Sequence, residues 1–163
     1  MRAPVLLVPL CALSALVLPA CGGPEVDLTK GLQVLDATTG WHDAGIQDGF
    51  NKIVPSITFK VKNVSDQALR ALQVNVIFKQ VGNEEEWGSG YLIVAKSEGL
   101  APGVVSAPLT VHSQKGLTGI ESRADMLRNS EFVDARVQVF GKYGSVQWTK
   151  IGEFQVERTL RQP

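Results

Sequence analysis

The stretch from Ile57 to Phe78 constrains this chain most. Ile57, Phe59 and Val61 alternate with Thr58, Lys60 and Lys62; a polar break, Asn63-Val64-Ser65-Asp66, follows; Leu72, Val74, Val76 and Phe78 then alternate with Gln73, Asn75 and Lys79. A period of two sends successive side chains to opposite faces of a sheet. Two strands, each with one buried and one wet face, are therefore joined by a polar corner, and the buried faces require a second layer to pack against.

The rest of the chain repeats the pattern in short pieces. Leu32, Val34 and Ala37 mark a first short strand ahead of a turn at Thr38-Thr39-Gly40. From Trp41 to Asn51 the chain carries two large aromatics, one imidazole, two carboxylates and two glycines without periodicity, which reads as a long connection. Pro55 then opens the second strand, where a missing donor is tolerated. The third strand, Leu72 to Gln80, gives way to a loop tip at Glu84-Glu85-Glu86, and a return strand passes through Tyr91-Leu92-Ile93-Val94. Leu100-Ala101-Pro102-Gly103 is a turn. Val105, Ala107, Leu109 and Val111 alternate with Ser106, Thr110 and His112, with Pro108 marking an edge strand or a bulge.

Thr118 and Glu121 stand in capping-box relation, and Ile120, Ala124 and Leu127 recur at helical spacing, so one short helix is expected there. Val133, Ala135, Val137 and Val139 face inward on a penultimate strand. A Gly141-Lys142-Tyr143-Gly144 turn leads to Val146, Trp148, Phe154 and Val156, with a bulge at Gly152. About seven short strands, one connecting helix and no βαβ alternation predict an all-β fold, an immunoglobulin-like β-sandwich over residues 31–160. A small closed barrel is the alternative.

The N-terminus has a different character. Arg2 is followed by an apolar run from Val5 to Leu18 with no acid, closed by Leu18-Pro19-Ala20-Cys21: a signal peptide over residues 1–20, too short to span a bilayer. The closing tetrapeptide resembles the lipobox of bacterial lipoproteins. That resemblance implies cleavage before Cys21, acylation of its thiol and anchoring of the chain in a membrane, facing the periplasm. Gly22 stands where an Asp often marks inner-membrane retention in such lipoproteins, so the resemblance leans toward the outer membrane. Residues 21–30 are expected to form the lipidated cysteine and a flexible tether, with Gly22 and Gly23 supplying slack and Pro24, Glu25 and Asp27 discouraging structure. Cys11 leaves with the signal, so the fold rests on its core without disulfides.

Around the strand pair, Val61, Asn63, Ser65, Leu69, Leu72, Val74, Val76, Phe78, Leu100, Pro102 and Gly103 resemble the pattern of the bacterial FxLYD domain family, whose function is unknown. The resemblance implies a small envelope domain and supplies no catalytic residues.

Lys+Arg and Asp+Glu both number 16 and the basic residues are scattered, so no stripe exists to follow a phosphate backbone and nucleic acid is not an expected partner. No nucleophile elbow, phosphate loop or metalloprotease motif is present; no enzyme activity, cofactor or metal is expected. Strand parity instead sends Ile77, Phe140 and Ile151, with Tyr91 or Ile93, to the outer face of one sheet, where a contiguous apolar patch would mark a contact with another envelope protein. The alternative is a small-ligand site between the sandwich end and the Trp41 to Phe50 loop, built from Trp41, His42, Asp43, Asp48 and Phe50.

Overall fold

The computed structural model describes residues 25–161; the expected signal peptide and Cys21 lie outside the described residues. Two sheets face each other. One contains β1 (Leu32–Gln47), β2 (Phe50–Asn63), β5 (Leu109–His112), β6 (Leu117–Gly119) and β9 (Leu160–Arg161), in the order β5-β2-β1-β9 with β6 also paired to β2. The other contains β3 (Gln73–Gln80), β4 (Gly88–Ile93), β7 (Ala135–Lys142) and β8 (Thr149–Gln155), in the order β4-β3-β7-β8. All pairings are antiparallel except β1 with β9. In immunoglobulin terms β1, β2 and β5 occupy the A, B and E places and β4, β3, β7 and β8 the C′, C, F and G places. The chain is an all-β sandwich, as its alternation requires.

The two layers meet through the residues that the period of two sends inward. Ile57, Phe59 and Val61 from β2, Val74, Val76 and Phe78 from β3, and Val137 and Val139 from β7 are all buried. Their transfer from water, at about 1.5–3 kcal/mol for each large side chain, is the main term opposing chain entropy.

Asn63 sits at the corner between β2 and β3 and is itself fully buried. Its amide nitrogen donates to the carbonyls of Gln67 (2.9 Å) and Leu100 (2.7 Å). Its carbonyl oxygen accepts from the Ser65 backbone N–H (3.0 Å) and hydroxyl (2.6 Å). Leu69 and Leu100 bridge beside it. One side chain thus ties the β2–β3 corner to the turn after Leu100, where Gly103 adopts a positive φ of 76° behind Pro102.

The largest departure from the sequence reading is β1. The expected turn at Thr38-Thr39-Gly40 and the expected connection from Trp41 to Asn51 are one continuous strand and a tight hairpin. Gln47 pairs with Phe50, and the two residues between them, Asp48 (φ 52°) and Gly49 (φ 84°), have the left-handed geometry of a two-residue hairpin turn. The alternation is hidden because β1 carries two bulges, between Leu35 and Thr38 and between Asp43 and Ile46. Each inserts a residue and reverses the parity; Asp36 (φ 50°) and Gly45 (φ 82°) take the left-handed positions.

Pro55 consequently lies within β2 and not at its start. Its carbonyl accepts from the Ser113 N–H, so its missing N–H falls on the side where β5 has ended and β6 has not yet begun. The sheet has a break where the donor is absent.

Three smaller corrections follow the same logic. Helix α2 (Arg123–Arg128) is capped by Ser122, whose hydroxyl accepts from the Asp125 N–H, and not by Thr118, which belongs to β6. Ile120 precedes the helix and is 81% exposed. Val133 likewise precedes β7 and is exposed. Of the tether expected over residues 21–30, residues 21–24 lie outside the described residues and the rest is packed: Asp27 caps a single turn, α1 (Leu28–Gly31), Leu28 is buried in the core, and the Val26 N–H donates to the Tyr143 hydroxyl.

Candidate functional site

Register places the outer face of the β4-β3-β7-β8 sheet in rows. Tyr91, Asn75, Phe140 and Lys150 form one row; Ser89, Ile77, Gln138 and Glu153 form the next. Ile93, Gln73 and Lys142 lie beyond Tyr91's row. Tyr91 is 54% exposed and Ile93 59%, while Ile77 and Phe140 are half-buried. Trp148, just before β8, lies beside this face: its ring meets Tyr91 edge-on with centroids 6.3 Å apart, and the Lys142 ammonium stands 5.8 Å from its centroid. An aromatic and aliphatic surface therefore covers the Ile93 end of this sheet.

Ile151 does not belong to it. Val139 pairs with Gly152 but Phe140 pairs with Lys150, so Ile151 is the extra residue of a bulge. The bulge turns its side chain inward, toward Gly141 and the core, where it is partly buried. The bulge expected at Gly152 is present, and it is what reverses the orientation expected for Ile151.

The opposite end of the same face is charged. Glu84 from the loop tip pairs with Lys79 and Arg136, and Arg136 also pairs with Glu153, which binds Lys150 (2.9 Å) and Gln138 (3.1 Å). The Lys150 ammonium, then the Gln138 amide, hold the Glu153 carboxyl at about 2 against an ordinary 4.5. Glu84 is thus spoken for by two cations of its own sheet.

Trp41, His42, Asp43, Asp48 and Phe50 do not converge. Trp41 is fully buried, packed edge-on against Phe132 (4.8 Å) and Trp87 (6.0 Å). Asp43 points to Arg123 of α2 and accepts from the Gly45 N–H (2.8 Å); these contacts outweigh its burial and lower its pKa. Asp48 is in the hairpin turn and Phe50 is exposed beside it. The expected pocket is replaced by a strand because alternate residues of a strand face opposite sides.

His42 instead meets His112, a residue the sequence offers only as a surface position on another strand. The two rings, the chain's only imidazoles, are 4.1 Å apart with a 31° tilt. They reach across β2 from β1 and β5 over the small Ser56, which pairs with both Gly40 and His112. Arg161 of β9 pairs with His42 and folds over Gly40, where a Cβ would sit 2.7 Å from the arginine Cγ. Its Nε donates to the Thr39 carbonyl (2.8 Å). Thr38, His42, Ser56, Thr58, Thr110, His112 and Arg161 line a groove of about 570 Å³. Burial, and then the neighbouring His42, lower the His112 pKa.

No group of three or more His, Cys, Asp or Glu suited to a metal ion occurs among the described residues. No family model and no curated protein matches this chain. Among solved structures the chain is similar to an X-ray structure of a Northeast Structural Genomics Consortium target, at 15% identity and a TM-score of 0.45, over 79% of this chain and 88% of that one. By its own topology the protein is an all-β sandwich, with an aromatic surface on one sheet and an imidazole-lined groove on the other.

Proposed function

We propose that this chain is a lipid-anchored, periplasm-facing envelope lipoprotein whose sandwich is a non-catalytic binding module, an accessory of an assembly or transport complex. The lipobox-like Leu18-Pro19-Ala20-Cys21 supports the anchor, with the outer membrane favoured by Gly22. The observation that carries the binding role is the exposed set Tyr91, Ile93 and Trp148 on one sheet, flanked by half-buried Ile77 and Phe140. Aromatic side chains of this kind supply most of the energy of protein interfaces. Lys142 over Trp148 and Lys150 beside Phe140 give the patch a cationic rim, so the matching partner is an envelope protein with an apolar contact surface edged by carboxylates.

The test is co-purification from cross-linked native membranes of the wild type and of a Tyr91→Glu/Ile93→Glu double variant. Both side chains are more than half exposed, so the double variant keeps its fold. Recovery of a partner by the wild type and its loss by the folded variant supports the reading. An unchanged set of partners overturns it.

A further inference from the structure

We propose that the groove on the opposite sheet, between His42, His112 and Arg161, binds a small oxyanion, phosphate or carboxylate. The inference goes beyond the module reading: the groove lies on the β5-β2-β1-β9 sheet, and either proposal can fail without the other.

Among the described residues, neither imidazole makes a hydrogen bond and no carboxylate pairs with Arg161, whose only bond is the one from Nε to Thr39. The arginine's outer fork and the ring nitrogens are therefore uncommitted donors, and a guanidinium fork matches the geometry of a carboxylate or phosphate. Of the groove's hydroxyls, Ser56 already donates to the Gly40 carbonyl (3.1 Å) and Thr38 to the Thr58 carbonyl (3.4 Å), whereas Thr58 and Thr110 lie 2.9 Å apart, so that one of the pair donates to the other and the second keeps its proton for a further oxygen. Among the described residues, no acidic side chain lines the groove. Its volume of about 570 Å³ exceeds that of a single ion and leaves room for the body of a small organic phosphate or acid.

Two stacked imidazoles suit a bound anion better than a metal. A metal needs three or more convergent ligands, and among the described residues the groove's lining offers two imidazoles with no carboxylate or thiol beside them. Burial first, and then repulsion from the neighbouring imidazole, disfavour the charged form of His112 while the groove is empty, and both lower its pKa. An anion seated between them and Arg161 offsets that repulsion, so binding takes up protons and strengthens as the pH falls. The surrounding charges do not cancel the effect. Lys52 stands at one end of the face, bonded to Gln47 and to the Gln114 carbonyl, and Lys60 at the other, paired with Asp36. Asp43, next to His42, is engaged by Arg123; Lys115 follows His112 by three residues, and β9 adds only Arg161.

The test is calorimetric titration of the protein with inorganic phosphate and, separately, with citrate, at about pH 5.5 and about pH 8 and at constant ionic strength. The imidazole proton resonances are followed by NMR in parallel. The expected result is saturable binding, about tenfold tighter at the lower pH, with both histidines shifting. His112→Asn removes most of the pH dependence, and Arg161→Gln weakens binding at both pH values, with thermal melts confirming that each is folded. Should Arg161→Gln not fold, the His42→Asn and His112→Asn variants carry the test. Absence of saturable binding, equal affinity at the two pH values, or unchanged binding in the folded variants overturns the proposal.

Discussion

Replacing Asn63 tests whether one polar side chain organises the corner between the sheets. Asn63 makes four hydrogen bonds from a fully buried position. Asn63→Ala removes them all, but the consequences differ by partner. The Leu100 carbonyl still accepts from the Leu69 N–H and the Gln67 carbonyl from the Ser65 hydroxyl, so neither is orphaned. The Ser65 N–H loses its side-chain acceptor. With about 1 kcal/mol net for each bond, tempered by those surviving partners, and a small cavity added, the expected loss is about 3 kcal/mol.

Asn63→Asp sharpens the test. The acceptor pair toward Ser65 survives, but a carboxylate oxygen replaces the donor facing carbonyls 2.7 and 2.9 Å away. Burial and repulsion raise the folded-state pKa of that carboxyl above its unfolded value of about 3.9, so the penalty grows as pH rises between the two. The aspartate variant is therefore expected to be at least as unstable as the alanine variant at about pH 7 and to recover toward about pH 4. Urea unfolding followed by the fluorescence of the three tryptophans reads both, the alanine variant shifting the midpoint by roughly 2 M. An Asn63→Ala variant within about 0.5 kcal/mol of wild type would refute the reasoning.

Trp41 offers the opposite expectation. Its indole N–H is buried with no acceptor among the described residues, so Trp41→Phe forfeits packing against Trp87 and Phe132 but no hydrogen bond, and costs less than about 2 kcal/mol in the same assay. Glu153 sets an acid limb: its carboxyl titrates at about 2 when folded against 4.5 ordinarily, so its contribution is present above 4.5 and is lost as pH falls toward 2. The stability difference between wild type and Glu153→Gln should shrink over that interval in acid titrations of the melting temperature. On the proposed lipid anchor, Cys21→Ser is expected to abolish labelling by radioactive fatty acid and to release the chain from the membrane fraction, because acyl chains would supply the anchoring energy.

The sandwich was legible because its central strands obey a strict period of two. Phe59, Val61, Val74, Val76, Phe78 and Val137 lie in the core on the side their alternation assigns. The resemblance positions around them, Asn63, Leu69 and Leu100 among them, are the buried parts of the corner, which physical packing alone demands. The pattern failed wherever a bulge inserted a residue. In β1, Asp36 and Gly45 each shift the parity, so a strand of 16 residues read as a short strand and a loop. The Asp48-Gly49 pair, a strong hairpin signal, was available but unflanked by visible alternation. In β8 the bulge reversed Ile151, while Ile77, Tyr91 and Phe140 kept the face and sheet expected of them. The His42–His112 pair was beyond reach, because it depends on β1 and β5 flanking β2 in register across 70 residues of chain.

The proposed binding role is tested most directly by placing a photo-crosslinking side chain at one position at a time in the full-length protein within its native cells: at 91 on the β4-β3-β7-β8 sheet or 148 beside it, and at 58 on the opposite sheet as the control. The account expects a discrete crosslinked protein from 91 and 148 and none from 58. The same adduct from 58, or none from either exposed aromatic position, would contradict it.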